Sequence, residues 1–288
     1  GRDWHRALRA KLLLAGWVQH ESDPSIYSLD GPSGRQFLGI YVDDIIHLCS
    51  SLSVHDTFVS FCNSNFPTTS QGELSFILGM KITTTKIGNT STLTLDQKQA
   101  ISVFLDTCEV PRKSARPVST PMVEHWTYGD APPTTDPSLM KLYRSRVASL
   151  NYFAMCTRPD LSFTVSMLSR HLHDPNPACF DALDRALHYL HHTRALGLRY
   201  VATPSTTSHL AAYADASYGG EDAHGARSPH GHAIYFADCL IDWSSTIQST
   251  VALSSAESEH ISAFHCGRTI VYYRHLLEEK GLPQSSPT

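Results

Sequence analysis

The sequence predicts an α+β protein, because strand signals and helix signals fall in separate runs of the chain. Strand-forming runs separated by turn residues lie mainly between residues 26 and 95. Helical spacing of apolar residues follows between 138 and 200, and three further strands then precede one long helix. With 288 residues, 41% of them hydrophobic, the chain is long enough for one large domain or two ordinary ones.

The first elements follow from helical spacing and from turn residues. Residues 3–17 carry apolar side chains at helical spacing, and Gly16 suits the C-terminal end of that helix. The strands 26–29 and 36–42 can pair, because glycine and proline form a turn between them. The next predicted elements are a helix at 54–65, strands at 73–84 and 91–95, and a helix that Asp96 caps and that runs to about residue 108.

Residues 117–137 contain five prolines and few periodic apolar positions, so we interpret them as a linker or surface excursion. Two helices follow, with Pro159 and Asp160 in the first turn of the earlier one and a break at 174–177. The last predicted elements are strands at 209–217, 231–236 and 240–244 and a helix at 255–280.

Composition limits the function. A net charge of −4 and a pI near 6.5 give no electrostatic case for nucleic-acid binding, although Arg112, Lys113 and Arg116 form a small basic cluster. The seven cysteines include no Cys-x-x-Cys pair, which argues against both a disulfide framework and a zinc site. No apolar run reaches membrane-spanning length and no targeting signal is evident, so we expect an intracellular protein. Because the chain opens at Gly1 without methionine, we expect a fragment.

Two adjacent carboxylates, Asp43 and Asp44, interrupt the apolar run 37–48. This pattern predicts a β-hairpin with two acids at its tip. A carboxylate pair in such a run needs a partner, and a divalent metal ion is the commonest one. The alternative is an ordinary acidic turn, since aspartate is a favoured turn residue.

A second acidic set lies near the C-terminal helix. Asp215 interrupts a strand of small residues, and Glu257 and Glu259 lie where the long helix begins. Ser254 and Glu257 match a capping box, which leaves Glu259 as the inward-facing carboxylate. One acid on a strand and one on a neighbouring helix is typical of two-metal phosphodiesterase sites. The alternative is that both glutamates only complement the helix dipole.

Other candidates are weaker. His188, His191 and His192 share one side of a helix without a carboxylate or cysteine, which favours a solvated face over a metal site. Nothing orients a nucleophile and a base around His260, and Gly219–Gly220 lacks the residues of a phosphate-binding loop.

Short motifs recur along nearly the whole chain. They are GRDWH (1–5), ESDPSIY (21–27), YVDD (41–44), FILGMKI (76–82), LDQKQ (95–99), STPM (119–122), YRSRV (143–147), TRPDL (157–161), WSS (243–245) and LSSAESE (253–259). Together, and in this order, they resemble the polymerase–ribonuclease H part of the Ty1/copia class of retrotransposon polyproteins.

The resemblance implies that Asp43 and Asp44 belong to a reverse transcriptase palm, where they hold Mg²⁺ (or Mn²⁺) for nucleotidyl transfer. Tyr41 and Val42 would lie close to the primer end, and Gly79 would lie in the hairpin that grips the primer. The implied partners are an RNA template, a DNA primer and deoxynucleoside triphosphates, and no membrane.

The resemblance also implies that Asp215 and Glu259 bind metal ions that cleave the RNA strand of an RNA–DNA hybrid. The expected architecture combines a partial polymerase palm and thumb, a helical connection and a truncated, mixed α/β ribonuclease H-like domain. The expected regions are palm and thumb at 1–116, a proline-rich linker at 117–137, a helical connection at 138–200 and the ribonuclease H-like domain at 201–288.

The chain departs from the family pattern at several points. The third palm aspartate would precede Gly1, and a further hydrolytic aspartate would follow the long helix. We therefore expect little or no polymerase activity from the isolated chain. Ser217 and His260 replace a common tryptophan and a common tyrosine, and residues 246–247 occupy a stretch that commonly carries lysine.

Two alternatives to an enzyme fragment stay open: a decayed, catalytically dead relic and a nucleic-acid-binding remnant without chemistry. The family implies the cytoplasm, a virus-like particle or the nucleus as the location. The host, the priming mechanism and the oligomeric state are left open by the sequence.

Overall fold

The computed structural model describes residues 2–108, 118–219 and 227–288, so the basic cluster of Arg112, Lys113 and Arg116 lies outside the described residues. Within these ranges there are seven α-helices and three antiparallel sheets, which confirms the predicted α+β class. The chain divides into two compact units, one formed by 1–74 with 271–287 and the other by 75–270. In the described ranges, no helix combines the length and apolarity needed to cross a bilayer.

The first unit packs two helices on a four-stranded antiparallel sheet of order β1-β2-β3-β4. Its core joins Leu8 and Leu12 of the first helix to Trp17, Tyr27 and Leu38. Gly16 has φ +91°, the left-handed conformation that ends a helix, as the sequence predicts. The elements are α1 (Arg2–Leu14), β1 (Val18–Gln19), β2 (Ile26–Gly31), β3 (Gly34–Tyr41), β4 (Asp44–Leu48) and α2 (Leu52–Asn65).

The second unit opens with a sheet of order β5-β6-β7-β8. The single strand expected at 73–84 is interrupted by a turn at Leu78 and Gly79, both at positive φ. Residues 198–202 form β8 and pair with β7, although we expected residues 198–200 to belong to a helical connection. The elements are β5 (Phe76–Ile77), β6 (Met80–Ile87), β7 (Thr90–Asp96), α3 (Lys98–Thr107) and β8 (Leu198–Ala202).

A helical core follows in the same unit, formed by α3, α4 (Pro137–Cys156), α5 (Ser162–Ser169) and α6 (Pro177–His192). Asp136 and Asn176 accept the first free N–H groups of α4 and α6, which fixes where each helix begins. Arg158 is fully buried and pairs with Asp160 at 2.6 Å, so its charge is compensated inside the core.

Residues 118–136 form neither helix nor strand. They are nevertheless anchored to the helical core, because the Tyr128 hydroxyl donates to the carbonyl of Asp174 at 2.5 Å. The Asn176 amide in turn donates to the carbonyl of Tyr128 at 2.7 Å. These hydrogen bonds hold this part of the proline-rich region against the helical core.

The last sheet has the order β11-β10-β9 and is antiparallel throughout. In this sheet Asp215 on β9 pairs with Gly231 on β10, and a long helix follows the last strand. The elements are β9 (Leu210–Ala216), β10 (Pro229–Phe236), β11 (Cys239–Ile247) and α7 (Ser255–Glu279).

Candidate active sites

Asp43 and Asp44 lie at the tip of the β3–β4 hairpin, as the sequence predicts. Tyr41 pairs with Asp44 across the hairpin, so the loop consists of Val42 and Asp43 alone. Both carboxylates are exposed to solvent. The hairpin therefore presents two adjacent acids at one end of the first unit's sheet.

Val42 has an unusual backbone conformation for its residue type, with φ +55°. A β-branched residue in the left-handed region costs roughly 1–2 kcal/mol compared with an ordinary conformation. Its side chain is 65% exposed, so burial of the side chain does not offset this cost. Backbone strain of this kind concentrates at functional sites. The strain at Val42 therefore points to the loop that carries the acid pair as a functional site.

Tyr41, which precedes the loop, is also exposed, at 57% of its surface. The tip thus combines hard carboxylate oxygens with accessible apolar and aromatic surface. Carboxylate oxygens are the ligands that Mg²⁺ prefers, so the donor set fits a hard divalent cation. In the described ranges, however, neither Asp43 nor Asp44 belongs to a group of three metal-binding side chains with converging ligand atoms.

Gly79 lies in the β5–β6 turn, where the family resemblance implies a primer contact. Leu78 and Gly79 have φ of +49° and +72°, which is the pattern of a two-residue type I′ turn. A Cβ atom at Gly79 would overlap the hydroxyl of Tyr152, which donates to the Leu78 carbonyl at 2.9 Å. The turn conformation and this close approach require glycine here, and a role in binding nucleic acid stays a prediction.

Asp215 lies on β9, at one edge of the third sheet. It pairs with Gly231 on β10, which pairs with Ser245 on β11. These residues line an open groove of about 390 Å³. Other residues that line it are Phe163, Tyr213, Ser217, Pro229, His230 and His232.

Helix α7 is anchored to the strands beside Asp215. The buried hydroxyl of Ser262 lies 2.8 Å from the carbonyl of Asp215 and 3.3 Å from that of Gly231. Glu259, one turn earlier on α7, accepts a hydrogen bond from the N–H of Ala216 at 3.3 Å. The Glu259 carboxylate therefore lies beside Ala216, the residue that follows Asp215. Glu259 is exposed and is not one of the groove-lining residues.

Of the two glutamates at the start of α7, Glu257 forms the capping interaction that the sequence predicts, and a catalytic role for Glu259 stays a prediction. Ser254 Oγ accepts from the N–H of Glu257 at 3.1 Å, and the Glu257 carboxylate accepts from the N–H of Leu253 at 2.6 Å. Together these bonds form the predicted capping box, with the Glu257 carboxylate on the N–H of the residue before Ser254, which accounts for Glu257. Glu259 takes no part in it.

Histidines of β10 contribute to the groove and were missed by the sequence reasoning. His232 contacts Asp242 at 2.8 Å, and His230 contacts Thr246 at 3.0 Å. Burial, together with the nearby His265, lowers the pKa of His230. The alternation of His230 and His232 at the start of the predicted strand 231–236 was the available signal. Their partners on β11 become visible only once the strands are paired.

Comparison with known proteins identifies the class. The chain is 32% identical over 291 residues to the retrovirus-related Pol polyprotein from transposon RE2 of Arabidopsis thaliana, with 99% of the chain aligned. It is 29% identical over 289 residues, or 98% of the chain, to that from transposon TNT 1-94 of Nicotiana tabacum. A third match, from transposon RE1 of Arabidopsis thaliana, is 31% identical over 288 residues and 99% of the chain.

The chain is therefore a homologue of retroelement polyproteins. Specifically, its homologues are retrovirus-related Pol polyproteins from Ty1/copia-like transposons. The chain spans 19% to 21% of the length of these relatives. No family model matches it. No solved structure matches it significantly.

Proposed function

We propose that this chain is the part of a retrotransposon Pol polyprotein that carries the acid pair of an RNA-directed DNA polymerase and two acids of a ribonuclease H. The observation that carries the proposal is the hairpin tip. Asp43 and Asp44 are exposed on a two-residue loop whose Val42 is held at positive φ. The homology to Pol polyproteins supports the same conclusion.

In this proposal the carboxylates of Asp43 and Asp44 hold Mg²⁺ or Mn²⁺. Such ions, when bound, would supply activation of the primer 3′-hydroxyl and neutralisation of the charge on the incoming triphosphate. Tyr41 and Val42, both exposed, present apolar surface to the end of the primer. The short, tightly turned loop limits the freedom of both acids, which favours a defined geometry toward the reacting groups.

For the C-terminal site, we propose that Asp215 and Glu259 act on the RNA strand of an RNA–DNA hybrid. Asp215 lies in a groove that is open to solvent, as a polymer substrate requires. The hydrogen bond from the N–H of Ala216 to the Glu259 carboxylate holds the two acidic segments together. Ser262 supports this arrangement by tying α7 to the carbonyls of β9 and β10.

Each acid set consists of two carboxylates, and within the described ranges no third ligand completes either one. This observation favours one second candidate, a binding remnant that retains the nucleic-acid surface without chemistry. Such a remnant should retard an RNA–DNA hybrid in a gel without magnesium, and the shift should weaken steeply with salt.

The test uses the polyprotein reading frame that contains this chain. Asp43→Asn and Asp44→Asn should each reduce Mg²⁺-dependent primer extension to background, because an amide cannot replace the charge that holds the ion. The matched control is Asp56→Asn, which removes an exposed acid from α2 and should leave extension unchanged.

The hydrolytic site is tested in the same protein. Asp215→Asn and Glu259→Gln should abolish cleavage of the RNA strand, whereas the exposed turn residue in Asp238→Asn serves as control. Extension and cleavage that survive all four substitutions would refute the assignment of these acids. Hybrid binding without either activity in the wild-type protein would establish the binding remnant instead.

A further inference from the structure

A second cluster of ligand-type side chains lies where β4 ends and α2 begins. His47 and Cys49 alternate along the chain with Leu48 between them, and His55 lies in the first turn of α2. One ligand atom from each of the three residues lies within 4.8 Å of the other two. The side chains are half-buried, so they are shielded from bulk water yet accessible to a small ion.

The two histidines face each other through ring nitrogens. Their Nδ1 atoms are 3.2 Å apart, and the ring centroids are 5.5 Å apart with planes 27° from parallel. The rings therefore meet edge to edge, with both Nδ1 atoms between the two centroids. At this separation one nitrogen donates a proton to the other's lone pair, since two facing lone pairs would repel.

The outer nitrogens also have partners. Nε2 of His47 lies 3.0 Å from Gln36 Oε1, and Nε2 of His55 lies 3.3 Å from Ser70 Oγ. The carbonyl oxygen of Gln36 only accepts, so Nε2 of His47 carries the proton and its Nδ1 presents a lone pair. An outer acceptor that fixes the tautomer is the usual support of a metal-binding histidine. Trp17 and Phe58 pack against the His47 ring and hold its orientation.

We propose that Nδ1 of His47, Nδ1 of His55 and the thiolate of Cys49 bind one Zn²⁺ ion, with water as the fourth ligand. Zinc takes nitrogen and sulfur ligands in tetrahedral geometry, whereas magnesium requires oxygen. Zn–N bonds of about 2.0–2.1 Å at a tetrahedral angle place two nitrogens about 3.3 Å apart. The observed separation of 3.2 Å is therefore close to that of a loaded site.

Loading the site redistributes two protons. The Cys49 thiol proton leaves to solvent, because the thiolate is the ligand. The proton shared between the histidines moves to Nε2 of His55, which then donates to Ser70 Oγ. Each ring turns slightly so that both lone pairs converge on the ion instead of facing each other.

This proposal differs from the expectation that the cysteine spacing argues against a zinc site. The ligands follow the spacing His-x-Cys-x₅-His, which lacks any Cys-x-x-Cys pair. The ion would join the end of β4 to the first turn of α2. Asp44 begins β4, whereas the cluster lies at the other end of that strand, with His47 in its last residues. The site would therefore be structural and independent of the proposed polymerase chemistry.

The test measures metal binding by the full chain after removal of metal with a chelator. Zn²⁺ titration should show one saturable site, and Co²⁺ should give a thiolate-to-cobalt charge-transfer band. Cys49→Ser should abolish that band, and Cys49→Ser and His55→Ala should each weaken Zn²⁺ binding by at least tenfold. Cys156→Ser is the control, because Cys156 is a half-buried free cysteine outside the cluster.

Alkylation of the wild-type chain keeps the test decisive if a variant fails to fold. Zn²⁺ should protect Cys49 from iodoacetamide and leave the reaction of Cys156 unchanged, as read by peptide mass spectrometry. Absence of saturable binding would overturn the proposal and leave a simple hydrogen-bonded histidine pair. Binding that leaves Cys49 unprotected would overturn it too, because the ion would then be held elsewhere among the chain's 17 histidines.

Discussion

The Tyr152 hydroxyl donates a hydrogen bond to the carbonyl of Leu78 at 2.9 Å, across 74 positions of the chain. This bond ties helix α4 to the β5–β6 turn within the second unit. The same hydroxyl lies where a Cβ atom of residue 79 would be, so any other residue at this position would displace the tyrosine hydroxyl. The tyrosine and the glycine therefore depend on each other.

Replacing Gly79 with alanine should destabilise the chain by about 2–3 kcal/mol. The backbone of the new alanine would be held in the left-handed region, and its methyl group would contact Tyr152. Urea unfolding measures the loss. The control is Gly88→Ala, since Gly88 has φ +58° but open space around it, and only the backbone cost of roughly 1 kcal/mol should remain there.

A double-mutant cycle separates the cost of the contact with Tyr152 from the cost of the positive φ at residue 79. Tyr152→Phe removes the oxygen and should recover part of the loss in the Gly79→Ala background. Equal losses for Gly79→Ala in both backgrounds would show that Tyr152 does not restrict residue 79.

Features decided by neighbouring residues were predictable from the sequence. The capping box of Ser254 and Glu257 and the acidic hairpin tip both depend on a few adjacent positions, and both are confirmed. Strand β8 was not predicted, because its five residues become a strand only by pairing with β7, more than a hundred positions earlier. The contact of Ser262 with Gly231 was invisible for the same reason, since it requires the folded sheet and helix.

Replacing Val42 should remove the backbone strain at the tip of the β3–β4 hairpin. Val42→Asn should stabilise the chain by up to about 1 kcal/mol, because asparagine tolerates positive φ and the valine side chain is mostly exposed. Thermal and urea unfolding both report the gain. Val18→Asn, at an exposed valine of β1 that is not among the positive-φ residues, should be neutral or destabilising. A loss of stability at position 42 equal to that at position 18 would contradict the proposed strain.

Ser262→Ala should loosen α7 beside Asp215. The serine side chain is buried, and its hydroxyl contacts the carbonyls of Asp215 and Gly231, so its removal should cost about 1 kcal/mol. Hydrogen exchange should increase in the first turns of α7. Ser149→Ala is the control, because the Ser149 hydroxyl bonds only within its own exposed helix turn. Unchanged exchange in α7 would show that Ser262 does not anchor the helix.

The first unit should lose stability as the pH falls. His20 is buried, and burial, with a contribution from Lys280, lowers its pKa below 6.5. Burial alone would raise the pKa of Glu279, but N–H groups of Glu21 and Ser22 outweigh it and hold the pKa below 4.5. Both groups bind fewer protons in the folded chain than in the unfolded chain. Acidification therefore favours unfolding.

The two pKa shifts set the pH range over which the first unit loses stability. The contribution of His20 is complete above its unfolded pKa of 6.5 and is lost as the pH falls toward its lower folded pKa. Glu279 adds a further loss below pH 4.5. Urea midpoints between pH 8 and pH 4 measure the slope, which His20→Gln should flatten in the upper part of the range. Identical slopes for His20→Gln and the wild-type chain would refute the role of His20.

The isolated chain should show no primer extension above background with Mg²⁺. Asp43 and Asp44 are exposed, and in the described parts of the chain no third ligand converges with them, so an ion that dehydrates reluctantly should bind them weakly. The assay uses an RNA template, a DNA primer and deoxynucleoside triphosphates, with circular dichroism of the same sample to show that the chain is folded. Robust extension that disappears in the Asp43→Asn/Asp44→Asn double variant would contradict this prediction. It would show that these two carboxylates suffice to hold the catalytic ions.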